Sequence, residues 1–362
     1  MSDPASPSNR LKDWRSRRGW TQVELARRAG ISRAAVSAIE IRRLVPSVAA
    51  ALKLAACLEC TVEELFGTTR PAAENEWAWA PHVPASRYWQ AEVAGRVLCF
   101  PCEETAAGEM AHDGVASRYG DCSGSENDPS QTLVVAGCDP AAGLLAAEYA
   151  RQTGRRMIHL CRSSGRALRL LQQRKIHVAG VHLSAAGGRH GNANAVSREL
   201  GVPAALLRMA QWEEGVAFVS DQEVASLRSL LQRPLRWIGR EPGSGARQCL
   251  DQVLRLRKQP TRIATDHRAV AAALRGGWAD AGVCVRLVSM EAGLRFLSVR
   301  VENYDLSFLK SVESDPRIQA LIRVVRSTAY RRLLGELPGY NVSETGDLER
   351  TAPRTSEITP LI

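Results

Sequence analysis

The first apolar positions of the chain recur at helical spacing. Leu25, Ala26 and Ala29 share one face of a predicted helix, and Val36 and Ile39 share one face of the next. Two short amphipathic helices joined by a turn cross steeply and leave the outer side of the second helix free. The pattern therefore predicts a helix-turn-helix within the stretch TQVELARRAGISRAAVSAIE.

Residues that favour helix ends flank both of these helices. Thr21 and Glu24 predict a capping box at the start of the first helix, and Gly30 predicts a left-handed turn at its end. Ser32 is placed to cap the second helix. These signals predict where the two helices begin and end, independently of the apolar pattern.

Beyond residue 130 the pattern changes to apolar runs that alternate with amphipathic stretches. Residues 132–136 form a continuous apolar run, which is typical of a parallel strand buried on both faces. Further strands are predicted at residues 157–160, 177–183, 236–240 and 279–285, and helices after 140 to about 153, at 163–173, from 242, at 269–274 and at 315–334. This alternation predicts an α/β fold with a parallel sheet.

The remaining segments have weaker patterns. Residues 68–90 are rich in Pro, Ala and Trp and predict a linker that docks through its tryptophans, and residues 91–120 predict a few short strands. The carboxyl-terminal residues are polar and predict disorder. We therefore expect a helix-turn-helix domain at 9–67, a Trp/Pro-rich linker with short strands at 68–130, an α/β domain at 131–345 and a disordered tail at 346–362.

Positive charge is concentrated in the predicted helix-turn-helix. Residues 10–43 contain ten Lys or Arg and three Asp or Glu, a balance of +7, against +10 for the whole chain. Such side chains contact DNA phosphates and fix the register without reading the sequence. Arg17, Arg18, Arg42 and Arg43 are placed to do so, although a helical bundle with solvated arginines is the alternative.

The outer side of the second helix carries side chains that suit base edges, since Arg and Ser form hydrogen bonds and Ala makes small apolar contacts. The predicted DNA-binding residues are Gln22, Ser32, Arg33, Ala34, Ser37, Arg42 and Arg43.

From the first helix through LKLAACLECTVEELFG, residues 9–67 resemble the phage-repressor-type (XRE) helix-turn-helix family. The resemblance implies a homodimer that binds a two-fold, double-stranded DNA operator with half-sites about one helical turn apart. The chain departs from the family at Arg42, where glycine is usual. A non-glycine residue there costs on the order of 1 kcal/mol if the left-handed conformation is required.

Length and composition indicate two or three domains in 362 residues. No apolar run reaches membrane-spanning length and MSDPASPSNR carries no signal region, which predicts a cytoplasmic protein without a membrane partner. Nine cysteines include Cys57-x-x-Cys60 and Cys99-x-x-Cys102. Because these positions resemble small apolar slots and an alternating strand, we expect reduced thiols and no metal site.

Three predicted strand-to-helix junctions carry candidate ligand chemistry. Ser163-Ser164-Gly165 and Gly243-Ser244-Gly245 place hydroxyls and free amides at helix starts, and Cys138-Asp139-Pro140 does so with poorer donors. Helix amino termini attract anions, and two junctions in separate halves of an α/β domain would face one another across a cleft. The alternative is that the serines only cap their helices.

Residues 131–345 resemble the type 2 periplasmic-binding-protein-like (PBP-like) domain named for molybdate binding, which is commonly fused behind a helix-turn-helix in bacterial regulators. The matching stretches occur in the expected order: GCDPAAGLL (137–145), VHL (181–183), REPGSGAR (240–247), DHRAVA (266–271), ADAGV (279–283), ENYDL (302–306) and Gly339-Tyr340. Two pocket segments differ, because Gly137-Cys138 replaces the usual Ser-His and SAAGGRHGNAN follows His-Leu.

The resemblance implies two lobes that close on a small-molecule effector, with a hinge near residues 181–183 and 208–212. The fold class is then multidomain, with an all-α helix-turn-helix head and an α/β two-lobed PBP-like domain. The implied effector is an oxyanion such as molybdate or tungstate, with no other cofactor. Arg247 would neutralise the effector or pair with Asp280 or Glu241. The predicted ligand-binding residues are Cys138, Asp139, Ser163, Ser164, Ser244, Gly245, Arg247 and Tyr304.

The predicted function is that of a ligand-responsive transcription regulator. Two alternatives stay open: the same architecture with a different small organic ligand, and a constitutive DNA-binding protein with a ligand-free scaffold. We predict no enzyme and no catalytic residue, because Gly-x-Ser-x-Gly, Walker and metal-spaced His motifs are missing from the sequence. His182 and His267 are expected to orient loops.

Overall fold

The computed structural model describes residues 9–66, 76–83, 86–105, 108–116, 127–183, 191–219, 224, 226–255 and 259–351. The chain divides into two compact units, Met1–Glu76 and Trp77–Ile362. Within the described ranges, no helix combines the length and apolar character that a membrane crossing requires.

The described part of the first unit is helical. Its apolar faces meet in one core around Leu25, Val36, Ile39 and Leu54. The helices are α1 (Leu11–Arg17), α2 (Gln22–Ala29), α3 (Arg33–Glu40), α4 (Val48–Leu58) and α5 (Val62–Phe66). The predicted helix-turn-helix therefore corresponds to α2 and α3.

The helix ends mostly follow the sequence signals. Thr21 accepts a hydrogen bond from the Glu24 amide at 3.2 Å, and Gly30 ends α2 in the left-handed conformation at φ 64°. Only half of the predicted capping box forms, because the Glu24 carboxylate binds Arg27 and Arg28. Ser32 caps α3 by accepting from the amide of Ala35 at 3.0 Å.

The turn after α3 requires a left-handed residue, and Arg42 supplies it at φ 61°. Its amide donates to the carbonyl of Ile39 at 2.9 Å, which closes the turn. Arg42 therefore adopts the left-handed conformation at the position where the family usually has glycine, and this costs about 1 kcal/mol.

The second unit begins with a small sheet. Its strands are β1 (Glu76–Trp77), β2 (Arg87–Val93), β3 (Arg96–Pro101) and β4 (Gly114–Val115), in the order β1-β3-β2-β4. Trp89, Leu98 and Phe100 pack in one core with Val134 and Ile158, which belong to the larger sheet.

Of the prediction for residues 68–130, the short strands are present and a tryptophan does dock, whereas the described residues from Trp77 onward belong to the second unit and do not form a separate linker. The alternation in RYWQAEV buries Tyr88, Trp89, Ala91 and Val93 on a sheet, and Trp89 is only 1% exposed. Residues 67–75, 84–85, 106–107 and 117–126 lie outside the described residues.

The larger sheet runs β10-β9-β11-β8-β12-β7-β5-β6, with β13 and β14 also paired to β8. Its strands are β5 (Thr132–Gly137), β6 (Arg156–Cys161), β7 (Val178–Val181), β8 (Ala204–Phe218), β9 (Trp237–Arg240), β10 (Ile263–Ala264), β11 (Ala281–Val285), β12 (Arg295–Leu309), β13 (Tyr340–Asn341) and β14 (Leu348–Arg350).

The sheet is mixed rather than parallel. Strands β5, β6 and β7 pair in parallel in the first lobe, and β9, β10 and β11 pair in parallel in the second. The prediction of a parallel sheet is wrong at the centre, where β8 and β12, each fifteen residues long, are antiparallel. These two strands run through both lobes and join them.

Helices cover the large sheet. They are α6 (Ala142–Thr153), α7 (Ser164–Gln172), α8 (Gly191–Leu200), α9 (Leu227–Leu231), α10 (Gly245–Leu254), α11 (His267–Arg275), α12 (Arg286–Glu291), α13 (Pro316–Arg326) and α14 (Thr328–Gly335), with short 3₁₀ turns at Pro129–Gln131 and Lys310–Val312. The single predicted helix over 315–334 is two helices, because Ser327 leaves the helical conformation (ψ 142°) and caps α14.

The prediction of a disordered tail from residue 346 is wrong for residues 346–351. Residues 346–351 are ordered, because β14 pairs with β8 and Thr351 donates its amide to the carbonyl of Ala204 at 2.9 Å. Arg350 also forms an ion pair with Glu313. Residues 352–362 lie outside the described residues.

Candidate functional site

Strands from both lobes end close together at one buried region, which is called the cleft below. Cys138 follows β5, His182 follows β7, Arg240 ends β9 and His267 begins α11. These four side chains are between 0 and 4% exposed. Ligands of open α/β sheets bind outside the carboxyl ends of the strands, so this cleft is the candidate ligand site.

The two serine-containing junctions meet across this cleft, as their sequence predicts. The amide of Gly165 donates to the carbonyl of Gly243 at 3.2 Å. A Cβ on Gly245 would lie 2.2 Å from the carbonyl oxygen of His182, so only glycine permits this approach. The starts of α7 and α10 therefore face one another.

The serines at these junctions differ in what they bind. Ser244 caps α10, because its Oγ accepts from the amide of Arg247 at 3.1 Å and donates to the carbonyl of Glu241 at 2.9 Å. Ser163 is equally buried but makes no cap, and its Oγ has no hydrogen-bond partner among the described residues. The capping explanation therefore accounts for Ser244 and not for Ser163.

Ser164 and Cys138 both contact His182. The Ser164 Oγ accepts from the amide of His182 at 3.0 Å, and the Cys138 Sγ lies 2.9 Å from its Nε2. The other ring nitrogen, Nδ1, lies 2.9 Å from Oε2 of Glu302. Burial lowers the pKa of His182 to about 4 and raises the pKa of the Cys138 thiol, so this contact joins neutral groups at physiological pH.

Arg240 is the central cation of the cleft. Its Nη1 lies 3.1 Å from Nδ1 of His267, whereas its Nε and Nη2 have no hydrogen-bond partner among the described residues. Because a guanidinium can only donate, His267 accepts at Nδ1 and carries its proton on Nε2, which also lacks a partner there. Burial holds the pKa of His267 well below its usual value.

A second charge cluster lies on the two long strands. Arg300 on β12 contacts Glu214 at 2.9 Å and Glu302 at 2.6 Å, and it donates to the carbonyl of Gly245 at 2.9 Å. Burial raises the pKa of both carboxyls to about 7. The cluster therefore links the central strands to the start of α10 and, through Glu302, to His182.

Two predicted ligand residues pack against side chains of β8 and β13. Asp139 accepts from the hydroxyl of Tyr340 at 2.7 Å and from the amide of Ala141 at 2.9 Å. Tyr304 stacks on Trp212 with ring centroids 4.5 Å apart, and its hydroxyl is so close to the Cα of Gly180 that a Cβ there would lie 2.0 Å from it. Asp139 and Tyr304 therefore both contact other protein groups in this structure.

Arg247 forms neither of the two predicted ion pairs. Its Nε donates to Asp251 at 2.9 Å, one helical turn along α10. Asp280 instead binds Arg236, and Glu241 lies 3.6 Å from Arg166. Of the changed segment SAAGGRHGNAN, residues 184–190 lie outside the described residues.

Sequence reasoning missed Arg240, the pair Glu214 and Glu302, and Arg300. Arg240 was detectable, because it stands at the end of a predicted strand and opens the REPGSGAR stretch. The two glutamates and Arg300 were not, since they lie within strands that the apolar pattern did not define.

In the first unit, three of the seven predicted DNA-binding residues lie on α3, and Ser32, Arg42 and Arg43 flank it. Gln22 differs from them, because its Nε2 donates to the Glu40 carboxylate at 2.9 Å, which also binds Arg15 at 2.6 Å. Ser32, Arg33, Ala34, Arg42 and Arg43 are exposed, and Ser37 is half-buried.

Comparison with known proteins identifies both units. Residues 146–326, half of the chain, match the PBP superfamily domain, and residues 11–65 match the helix-turn-helix family. The uncharacterized protein YvgK of Bacillus subtilis (strain 168) is 27% identical over 232 residues, which is 61% of this chain and 75% of YvgK.

Two solved structures are also similar to the chain. The tungstate ABC transporter from Geobacter sulfurreducens is 13% identical with a TM-score of 0.44, covering 57% of this chain and 98% of its own. An ABC-type phosphate transport receptor from Vibrio cholerae is 12% identical with a TM-score of 0.41, covering 58% and 99%.

A helix-turn-helix joined to a substrate-binding type of domain supports a DNA-binding regulator that senses a ligand. The chain belongs to the PBP superfamily, with a helix-turn-helix domain on its amino-terminal side.

Proposed function

We propose that the chain is a transcription regulator in which a small oxyanion, bound in the cleft of the PBP-like unit, changes the affinity of the helix-turn-helix for its operator. The observation that carries the proposal is the fully buried guanidinium of Arg240, whose Nε and Nη2 have no partner among the described residues. A buried cation is strongly unfavourable unless a counter-charge and hydrogen-bond acceptors surround it.

The groups around this guanidinium favour an anion. The Ser163 hydroxyl and the Nε2 of His267 are further donors without a partner among the described residues. Helices α7 and α10 begin at the cleft, and helix amino termini stabilise negative charge through free amides and the macrodipole. Donors supplied by both lobes would also hold the lobes together around the ligand.

Molybdate is the first candidate ligand, followed by tungstate, because the molybdate-named family is the one that residues 131–345 resemble. The predicted alternative, a different organic ligand, gains support from Arg240, since a guanidinium fork suits carboxylates and phosphates. We therefore propose an oxyanion as the ligand class and molybdate as its first member.

On the DNA side, we propose that the protein acts in the cytoplasm as a homodimer on a two-fold operator. Arg33, Ala34 and Ser37 would read bases, and Arg42 and Arg43 would bind phosphates. Ligand control requires that the ligand bind the conformations with high and low DNA affinity unequally, because a ligand that binds both equally does not shift the equilibrium between them.

The test is thermal unfolding of the chelator-treated, full-length protein with molybdate, tungstate, sulfate, phosphate, small carboxylates and nucleobases. A ligand at 100 times its dissociation constant adds about 2.7 kcal/mol to the free energy of unfolding. Operator selection, followed by binding measurements with and without the stabilising compound, then tests control of DNA affinity.

Stabilisation by molybdate and tungstate alone, together with a changed operator affinity, supports the proposal in full. A response only to a carboxylate or a nucleobase would support a ligand-responsive regulator whose ligand is not an oxyanion such as molybdate. No response to any compound, with unchanged DNA binding, contradicts the proposal and favours the constitutive DNA-binding protein with a scaffold domain.

A further inference from the structure

The cleft also holds a second kind of chemistry, a set of three metal-binding side chains. The sulfur of Cys138 and one ring nitrogen each of His182 and His267 lie within 4.8 Å of one another, and all three residues are buried. They come from three different segments: the ends of β5 and β7 and the start of α11. The sequence analysis expected no metal site, and these three residues, which are distant from one another in the sequence, give a reason to revise that expectation.

We infer that Cys138, His182 and His267 form a binding site for a soft or borderline divalent cation, with Zn²⁺ as the best match. Thiolate and imidazole are the ligands that zinc prefers, and three protein ligands leave a fourth position for an exogenous group. When the metal binds, the S–H bond of Cys138 breaks, a metal–sulfur bond forms and one proton is released to solvent.

The surroundings of His182 match those of a metal ligand. A metal-bound histidine usually donates its other ring nitrogen to a carboxylate, which fixes its orientation. Here Nδ1 of His182 lies 2.9 Å from Glu302, so Nε2 is the nitrogen that faces Cys138. Glu302 is thus a positioning residue for the site, acting through His182.

The present distances require a small adjustment. Zinc bonds of about 2.3 Å to sulfur and about 2.0 Å to nitrogen place tetrahedral S and N ligands about 3.5 Å apart. Cys138 and His182 are 2.9 Å apart, so this pair must open by about 0.6 Å. Their direct contact is replaced by two bonds to the metal.

Arg240 connects this site to the anion. To bind metal through Nε2, His267 must carry its proton on Nδ1, where Arg240 now donates at 3.1 Å. The Nη1 of the guanidinium must then leave His267 and joins Nε and Nη2 as a donor for an anion that also meets the charge of the metal. In this metal-bound form, Nε2 of His267 no longer donates to the anion. The metal site stands without the proposed function, whereas this coupling rests on it.

The experiment titrates Co²⁺ and Zn²⁺ into the chelator-treated, full-length protein with no oxyanion present. We expect one Co²⁺ per chain and a near-ultraviolet sulfur-to-cobalt charge-transfer band, which excess Zn²⁺ removes. Cys138→Ser should abolish the band, and His267→Gln should weaken binding more than tenfold. Glu302→Gln should lower affinity by about 10- to 100-fold while the band remains.

Cys99→Ser is the matched control, because Cys99 is a buried cysteine of the small sheet that forms no disulfide. It should leave the band and the stoichiometry unchanged. A wild-type protein that binds no cobalt, or a band that survives in Cys138→Ser, overturns the inference. Since no oxyanion or DNA is present, this result is separate from the test of the proposed function.

Discussion

Arg240 and His267 form a buried pair in which Nη1 of the guanidinium lies 3.1 Å from Nδ1 of the imidazole. Neither group carries negative charge, so the positive charge of Arg240 has no counter-ion in this contact. Burial of this unpaired charge lowers the stability of the folded protein, and under the proposed function a bound anion would remove that cost.

Arg240→Met should raise the stability of the unliganded protein and abolish its response to the ligand. Replacing a buried, incompletely paired charge with an apolar side chain of similar length stabilises by on the order of 1–4 kcal/mol. Thermal unfolding with and without the active oxyanion measures both effects. Arg247→Met is the control, because Arg247 pairs with Asp251 and should keep the ligand response. An Arg240→Met protein that still responds would contradict this role of Arg240.

Ser163→Ala and Ser244→Ala should have opposite consequences. Ser163 makes no cap and its Oγ has no partner among the described residues, so its loss should cost little stability and weaken oxyanion binding. Ser244 caps α10, so its loss should lower the free energy of unfolding by about 0.5–2 kcal/mol. Unfolding curves and ligand titrations of the two variants, side by side, separate the roles. Equal ligand affinity in Ser163→Ala and the wild type would exclude Ser163 from the site.

Local signals in the sequence predicted the parts of the site that depend on neighbours along the chain. Helix starts, caps and the glycine junctions are of this kind, and Gly165 and Gly243 do meet as the two junctions suggested. Contacts between residues that are distant in sequence could not be predicted. Glu302 lies 120 positions from His182, and nothing in the pattern around either residue specifies the other.

The same limit explains the errors in the fold. Strand β8 crosses between the lobes and has no uniform apolar face. Its polar residues Gln211, Glu213 and Glu214 interrupt the apolar run, so the pattern did not predict one long strand. The Trp- and Pro-rich composition before β2 drew attention away from an alternation in β2, which becomes evident when Trp89 is seen to be buried in one core with Val134. Composition describes a segment on average, whereas burial depends on what packs against each residue.

Arg33 and Arg43 should contribute differently to DNA binding. Arg33→Ala should weaken binding to the selected operator by about 1–3 kcal/mol more than binding to unrelated DNA, since its exposed side chain starts the recognition helix α3. Arg43→Ala should weaken binding to the operator and to unrelated DNA alike. It should also reduce the slope of log affinity against log salt concentration by about one, the value expected for one lost phosphate contact. Binding isotherms at several salt concentrations provide the measurement. If Arg33→Ala lost the same affinity for the operator and for unrelated DNA, Arg33 would not be a residue that reads bases.

Arg42→Gly should stabilise the first unit. Arg42 adopts φ 61°, and glycine relieves a strain of about 1 kcal/mol, partly offset by its greater freedom in the unfolded chain. The unfolding transition of the helical unit in the full-length protein measures the change. Arg43→Gly is the matched control, because Arg43 is an exposed neighbour that is not among the positive-φ residues, and glycine there should destabilise or have no effect. A lower stability for Arg42→Gly would mean that the arginine side chain contributes more than the strain removes.

His159 should make the second unit sensitive to acid. Burial lowers its pKa to about 4 from 6.5, and both ring nitrogens lack a hydrogen-bond partner among the described residues. The folded state therefore favours the neutral ring, so its contribution is fully present above pH 6.5 and is lost as the pH falls toward 4. The maximum loss is about 3 kcal/mol, since one pKa unit corresponds to about 1.4 kcal/mol.

His159→Leu should therefore flatten, without abolishing, the fall in stability over this range, because His177 also has a pKa lowered to about 4 by burial. Denaturant unfolding at pH 7.5 and 4.5 measures the difference between the variant and the wild type, which should grow as the pH falls. His112→Leu is the control, because His112 is exposed and should leave the slope unchanged. A His159→Leu protein with the slope of the wild type would show that the pKa of His159 does not differ between the folded and unfolded states, and that the acid sensitivity of the unit comes from other groups.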